Sequence, residues 1–303
     1  MRYGGVFMNR IIDFHTHIGD VINGFEPVYT PEEKPFRFII HLFSKIGFWS
    51  PFPGPTPAWM RIPLAVETQM RHSWGFKERL LEGMKRAGVT YSVVHPIEPM
   101  TPTEKILNEC KDNKNLFVTA SVDPKNPQKI EKLRKYMTLG CVGLKLHPIL
   151  QHTSPEDKGY FEIIEEYKKY DKFVLFHSGE YDYYITKTHF YQYGNVKLFE
   201  KIISAFPDVK FVLGHTGLHT PEPAVELAVK YKNVYLETSF QSAKSIKNII
   251  SKVDHSRILF GSDWPGSFPE FNVRIMKKAT SGNRELAEKV FFNNAAYLLG
   301  LKA

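Results

Sequence analysis

The chain has only two cysteines, Cys110 and Cys141, in 303 residues. That is too few for a disulfide framework, and the two are not spaced as a thiolate metal pair, so a reducing, cytoplasmic setting is expected. No run of about 18 apolar residues is present, which excludes a membrane-spanning helix. The N-terminus lacks the long apolar stretch of a signal peptide. No glycine-rich phosphate loop follows the first apolar run, which argues against an open, doubly wound dinucleotide-binding sheet. No dense basic arm is present either. The net charge is +8, from 40 basic and 32 acidic residues, but the lysines are spread along segments such as Lys129–Lys135 and Lys168–Lys172. This reads as a solvated surface, with attraction of anionic substrates as the alternative, and no nucleic-acid or membrane partner is expected.

What the sequence does contain is an alternation. Eight short runs rich in Val, Ile, Leu and Phe occur at Arg10–Phe14, Val89–His95, Leu116–Val122, Cys141–His147, Phe173–His177, Lys210–His215, Val234–Ser239 and Arg257–Ser262. Near-continuous apolar runs of this length are typical of parallel strands buried on both faces. Helical periodicity lies between them, at Phe76–Ala87, Thr103–Lys111, Pro127–Leu139, Gly159–Tyr170, Asn195–Ala205, Pro221–Tyr231, Ser245–Val253 and Glu270–Ala279. Two further helices are expected at Arg284–Phe292 and Ala295–Leu301. Eight strand–helix alternations predict an α/β fold, a (β/α)8 TIM barrel with extra C-terminal helices, as a single domain over 1–303.

One segment breaks the rhythm. Between Gly19 and Gly75 the chain is crowded with proline and aromatics, among them Pro51, Pro53, Pro55, Pro57, Trp49 and Trp59. It is too aromatic for disorder and too long for an ordinary loop. As an insertion after strand 1 it leaves from the catalytic end of a barrel, so the 19–75 insertion is expected to be a lid or specificity loop. A structural insertion or a contact in a homo-oligomer is the alternative.

The chemistry sits at strand ends. In Ile11-Ile12-Asp13-Phe14-His15-Thr16-His17, strand alternation turns His15 and His17 the same way, with Cα atoms roughly 6–7 Å apart. Two imidazoles so placed can converge on one ion. His177 ends the Phe173–His177 run, His215 the Lys210–His215 run, and Asp263 follows Arg257–Ser262. A parallel barrel brings these ends to one mouth. A metal there would polarise a carbonyl or carboxylate and activate water. Asp263 could ligate and take a proton, and His215 could orient or deprotonate the water. Asp13 shares the inward parity of His15 and His17 on strict alternation. Glu237 and Ser239 lie near a strand end with uncertain parity, and His95 carries no clear strand-end signal.

These motifs resemble the amidohydrolase superfamily, specifically the amidohydrolase-related (amidohydrolase 2) branch. The matching stretches are Asp13-Phe14-His15-Thr16-His17, Gly143-Leu144-Lys145-Leu146-His147-Pro148, Phe176-His177-Ser178-Gly179, Gly214-His215-Thr216-Gly217 and Gly261-Ser262-Asp263-Trp264-Pro265, with a terminal Asn293–Leu301 stretch of similar type. The resemblance covers nearly the whole chain in family order. It implies one divalent ion held by His15, His17, His177 and Asp263, usually zinc and in some members manganese, with His215 as the catalytic group beside it. It implies a metal-dependent hydrolase acting on a small, anionic, carbonyl-containing substrate, or alternatively a non-oxidative decarboxylase or hydratase of an unsaturated or aromatic acid. Lys145 keeps a second arrangement open, because other branches bridge two metals with a carboxylated lysine at this strand. With one metal, Lys145 and His147 are expected to face the substrate. The barrel DNases of the TatD type share the His-x-His but usually carry a glutamate on the fourth strand, where this sequence has Gly143-Leu144-Lys145. A metal-binding scaffold without activity is disfavoured because every expected ligand position is filled.

Overall fold

The computed structural model describes residues 10–22, 24, 71–72, 74–181 and 190–301. Nine parallel strand segments run β1 (Ile12–Thr16), β2 (Tyr91–Val94), β3 (Leu116–Val118), β4 (Ala120–Ser121), β5 (Leu144–Leu146), β6 (Val174–His177), β7 (Phe211–Gly214), β8 (Val234–Glu237) and β9 (Ile258–Leu259). Two of them, β3 and β4, are one barrel strand interrupted at Thr119, so all eight expected strands are present. The ladders form two sheets, β1-β2-β3 and β4-β5-β6-β7-β8-β9. Backbone bonds span both seams: Thr119 N–H donates to the Val94 carbonyl (3.1 Å), and Phe14 N–H to that of Phe260 (3.0 Å). At the second seam Asp263 N–H also donates to the His15 carbonyl (2.7 Å), and His17 N–H to that of Trp264 (2.7 Å). This is the α/β barrel predicted from the alternation.

The helices are α1 (Lys77–Ala87), α2 (Thr103–Cys110), α3 (Lys129–Thr138), α4 (Lys158–Tyr167), α5 (Glu200–Ala205), α6 (Glu222–Lys230), α7 (Ala243–Ile250), α8 (Pro269–Ala279), α9 (Arg284–Glu288) and α10 (Asn294–Leu299). Local chemistry sets their ends. In α1, Leu80 and Met84 are buried, and Gly88 closes the helix at φ 72°, a left-handed conformation natural to glycine. Asp157, Ser242 and Asn283 cap α4, α7 and α9 through side-chain oxygens that accept backbone N–H bonds, as N-caps do. The two expected C-terminal helices join, because a π-helical turn at Lys289–Asn293 links α9 to α10.

Strand parity separates two cores. Outward residues such as Leu144, Leu146, Val174, Phe176, Phe211, Leu213 and Leu236 pack against the helices. The inward set includes Val93, Phe173, Leu175, Val212, Tyr235 and Leu259, with Ala295, Ala296 and Leu298 of α10 in the same cluster. Above this layer, toward the C-terminal ends of the strands, the inward positions turn polar. There lie Lys145, His177 and Glu237, all buried. The 19–75 insertion, including Trp49 and Trp59, falls almost entirely outside the described residues.

Candidate active site

The ladder between β1 and β2 slips by one residue between Asp13 and Thr16. The slip is a bulge-type irregularity, which breaks strict alternation and re-aims side chains. Ile12 and Phe14 sit in the inner core, and the His15 ring follows them, in contact with the rings of His17, His95 and His215. Asp13 does not follow the parity predicted for it. Its carboxylate accepts the N–H and O–H of Ser262 (2.9 and 2.6 Å) and the N–H of His15 (3.3 Å), which ties the first strand to the last. Burial pushes that carboxyl up to about 7, against those hydrogen bonds.

Hydrogen-bond directions assign the tautomers. A carbonyl only accepts, so His17 Nδ1, 2.6 Å from the His95 carbonyl, carries the proton. His15 Nδ1 is 2.7 Å from Glu237 Oε2, which already accepts His215 N–H (3.0 Å) and Ser239 O–H (2.8 Å). It too is a donor. The Nε2 lone pairs of both rings then point at Asp263 Oδ1, at 3.4 Å from His15 and 3.1 Å from His17. Ser239 spends its proton on Glu237, so His215 Nδ1 donates to Ser239 Oγ (2.7 Å) and His215 Nε2 is a lone pair. His177 Nε2 donates to the Gly179 carbonyl (3.1 Å), which leaves His177 Nδ1 as an acceptor, 3.1 Å from His215 Nε2. Acceptors facing acceptors at these distances suit a cation among them. Holding the far nitrogen of each ring on a carboxylate or carbonyl is the usual arrangement for metal-binding histidine.

Burial keeps the rings neutral, as ligation requires. It is the main cause lowering His17 and His177 to about 3 and His15 and His215 well below the ordinary imidazole value, with the Lys145 charge adding to each. Burial likewise lowers Lys145 and raises Asp263, while the attraction between the two opposes both shifts. It raises Glu237 to about 7 against three hydrogen bonds, from the His215 and Ser239 N–H groups and the Ser239 hydroxyl. Among the described residues, His15, His215 and Asp263 bring one ligand atom each within 4.8 Å of one another.

The backbone at this mouth is unusual. His215 (φ 59°), Thr216 (φ 49°) and Asp263 (φ 56°) are non-glycine residues in the left-handed region. Such conformations persist where surrounding bonds over-determine them, and they concentrate at functional sites. Here Gln241 Nε2 holds the carbonyls of His215 and Leu218, both at 2.7 Å. Gly261 makes room for Glu237, because a Cβ at that position would overlap the carboxylate.

The remaining predicted positions fall at the same mouth. Lys145 is fully buried, its Nζ 3.0 Å from His15 Nε2. The His147 ring stacks on His177, with centroids 4.0 Å apart, and its Nδ1 accepts the N–H of Leu150 (3.2 Å). Three neighbours were not legible as site residues. Glu237 and Ser239 orient His15 and His215. His95 holds His17 through its carbonyl, while its own ring bonds Thr119 and the Phe14 carbonyl. A usable signal existed for His95, since it ends an apolar run, as His177 and His215 do.

A barrel whose strand ends gather imidazoles and a carboxylate defines a class, and the family follows from comparison. The amidohydrolase family model matches residues 12–301. The chain belongs to that family. A search of the curated proteins finds no significant match. Among solved structures, 2,6-dihydroxybenzoate decarboxylase from Rhizobium superimposes with a TM-score of 0.67 at 16% identity, over 97% of this chain and 99% of that one. A 5-carboxyvanillate decarboxylase from Novosphingobium aromaticivorans, complexed with manganese and a nitrobenzoic acid, gives 0.64 at 15% identity over 99% and 98%. A probable 2-pyrone-4,6-dicarboxylic acid hydrolase from Acinetobacter baumannii, with citric acid bound, gives 0.60 at 14% identity over 97% and 100%. At these identities the likeness is one of fold.

Proposed function

We propose that the protein is a metal-dependent hydrolase of a small carboxylic acid, with one divalent ion held by His15, His17, His177 and Asp263. The observation that carries this reading is the convergence of the His15 and His17 Nε2 lone pairs on Asp263 Oδ1, each ring's other nitrogen being committed to an acceptor. The donor set of imidazole and carboxylate suits zinc or manganese. Such an ion supplies Lewis acidity toward a substrate oxygen and makes water nucleophilic near neutral pH.

His215 is the base in this scheme. Its Nε2 is a lone pair beside the cluster, and its Nδ1–H runs through Ser239 Oγ to the Glu237 carboxylate. A proton taken at Nε2 places positive charge on a ring tied to that carboxylate. Lys145 now donates to the His15 lone pair. Once that lone pair is taken, the ammonium is the cation that meets a substrate carboxylate. His147, protonated at Nε2 because Nδ1 accepts from Leu150, is a donor toward the substrate.

Decarboxylation is the second reading, favoured by two neighbours of this fold that are decarboxylases and by buried Lys145 as a proton source for carbon. A panel of lactones, amides and unsaturated or aromatic acids separates the two. Hydrolysis incorporates ¹⁸O from labelled water into the product and releases no carbon dioxide. Carbon dioxide release without ¹⁸O in the organic product would replace hydrolysis with decarboxylation.

A further inference from the structure

The turn that carries His215 has positive φ at four residues in succession: His215 (59°), Thr216 (49°), Gly217 (80°) and Leu218 (54°). Glycine adopts such angles at no steric cost, but residues with a Cβ visit them singly. A run of this kind persists only where bonds from its surroundings fix it. Gln241 supplies two of those bonds. The side chain is buried, and its Nε2 donates one hydrogen to the His215 carbonyl and the other to the Leu218 carbonyl, 2.7 Å each. These are the first and last residues of the run, so one amide nitrogen sets the span of the turn. Carbonyls only accept, which fixes the nitrogen end of the amide toward them. The oxygen end is fixed as well, because Oε1 accepts the Ser245 hydroxyl at 2.6 Å. Ser245 stands in the first turn of α7, where its N–H bonds the Ser242 cap. A line of direct bonds thus runs from the helix layer to the main chain of His215.

The aim of the His215 ring depends on that main chain. Its Nδ1–H reaches Ser239 Oγ at 2.7 Å, and its Nε2 faces His177 Nδ1 at 3.1 Å. Relaxation of the turn toward extended backbone, with φ near about −120°, would swing the ring away from both. Other bonds tie the turn to the strands beside it. Ser178 Oγ donates to the Gly214 carbonyl (2.7 Å) and accepts the Gly217 N–H (3.1 Å), and the Glu237 carboxylate accepts the His215 N–H (3.0 Å). The pair from Gln241 does something different: it holds the two ends of the turn together.

We propose that Gln241 is a positioning residue for His215, acting on its main chain so that Nδ1 meets Ser239 and Nε2 meets the metal-binding cluster. This deepens the function proposed above and rests on its assignment of His215 as the base.

The test follows the His215 ring proton by NMR in full-length, zinc-loaded protein carrying ¹⁵N-histidine, the signal being assigned by its loss in His215→Asn. In the wild type the Nδ1–H should be visible and slow to exchange with solvent. Gln241→Met keeps the length of the side chain and removes both donors. It should speed that exchange by about tenfold or more, the scale of losing one or two hydrogen bonds, while the Nδ1–H of His17 exchanges as before. Ser245→Ala frees the other end of the amide and should give a smaller change in the same direction. A merely structural role would loosen the His17 and His215 rings together, or neither. The proposal is overturned by equal changes at both rings, by an unchanged His215 proton in Gln241→Met, or by a wild type with no protected proton at His215 Nδ1. If Gln241→Met does not fold, Ser245→Ala decides, and an unchanged His215 proton there overturns the proposal. The Nε2 signal reports separately on the reading beneath: a free lone pair fits a base, whereas a zinc-bound nitrogen would make His215 a ligand, whichever residue aims the ring.

Discussion

His17 Nε2 and Asp263 Oδ1 stand 3.1 Å apart as two acceptors, because His17 has given its one ring proton to the His95 carbonyl. With Asp263 ionised no hydrogen bond links them, whereas a carboxyl kept protonated by burial donates to the ring. A cation shared between the ionised pair would take the place of that proton and would make the first strand and the last strand partners in one task. The double substitution His15→Ala with His17→Ala should therefore remove nearly all bound metal. Elemental analysis of purified protein checks it, and full occupancy in the double variant would sink the ligand assignment.

Glu237 takes four donors: the His15 ring, the His215 and Ser239 N–H groups and the Ser239 hydroxyl. Glu237→Gln keeps the shape but turns one acceptor end into a donor, which faces other donors. Metal affinity should fall by roughly 10–100-fold, the usual cost of losing a group that orients a ligand. Competition against a chelator measures this without any substrate. An unchanged affinity would mean that the His15 ring holds its orientation without this carboxylate.

His215 distinguishes one ion from two. With one ion, His215→Asn should keep one metal per chain while turnover drops by roughly 10²–10⁴-fold, the scale of a positioned acid–base group. With two ions, His215→Asn and Lys145→Ala should each cut the content from two toward one. Two metals per wild-type chain with a carboxylated Lys145 would overturn the one-ion assignment.

Gly261→Ala should cost about 1–3 kcal/mol, the range for forcing an extra carbon into a filled interior. The added Cβ meets the Glu237 carboxylate and nothing more yielding. Chemical denaturation should show a lower midpoint at constant slope, and metal affinity should fall with it. A wild-type midpoint and affinity would show that Glu237 has room to move.

Burial pushes both thiols, Cys110 and Cys141, up to about 12. The raised pKa favours the protonated form, so at pH 8 roughly one thiol in 10⁴ is ionised, and thiolate is the reactive species. Iodoacetamide should leave the native protein nearly unlabelled, with a rate rising about tenfold per pH unit while the fold persists. In denaturant both should label quickly. Rapid labelling of either thiol in the native state at pH 8 would contradict the burial described.

Much of the fold was legible because barrel strands are buried on both faces and so read as apolar runs. All eight were found that way. What the pattern could not supply was parity near irregularities. A one-residue slip in β1 takes Asp13 away from the face that alternation assigns it. The left-handed φ angles of His215 and Asp263 re-aim side chains that a regular strand would point elsewhere. The ligand-type residues announced themselves by chemistry at strand ends. Glu237 and Ser239 did not, since their part is to hold other rings, and such a role becomes visible only when residues more than 200 positions apart, such as His15 and Glu237, are neighbours.

The seam that Asp263 N–H and His17 N–H stitch has a consequence for assembly. During synthesis His15 of β1 and His17 just beyond it emerge nearly 250 residues before the aspartate that faces them. A chain halted before β9 would carry imidazoles but no carboxylate to complete the set and no last strand to align them. With the proposed ligand set, tight metal retention would be a property only of the finished ring, and metal release on mild destabilisation would report the parting of β1 from β9 before the inner core melts.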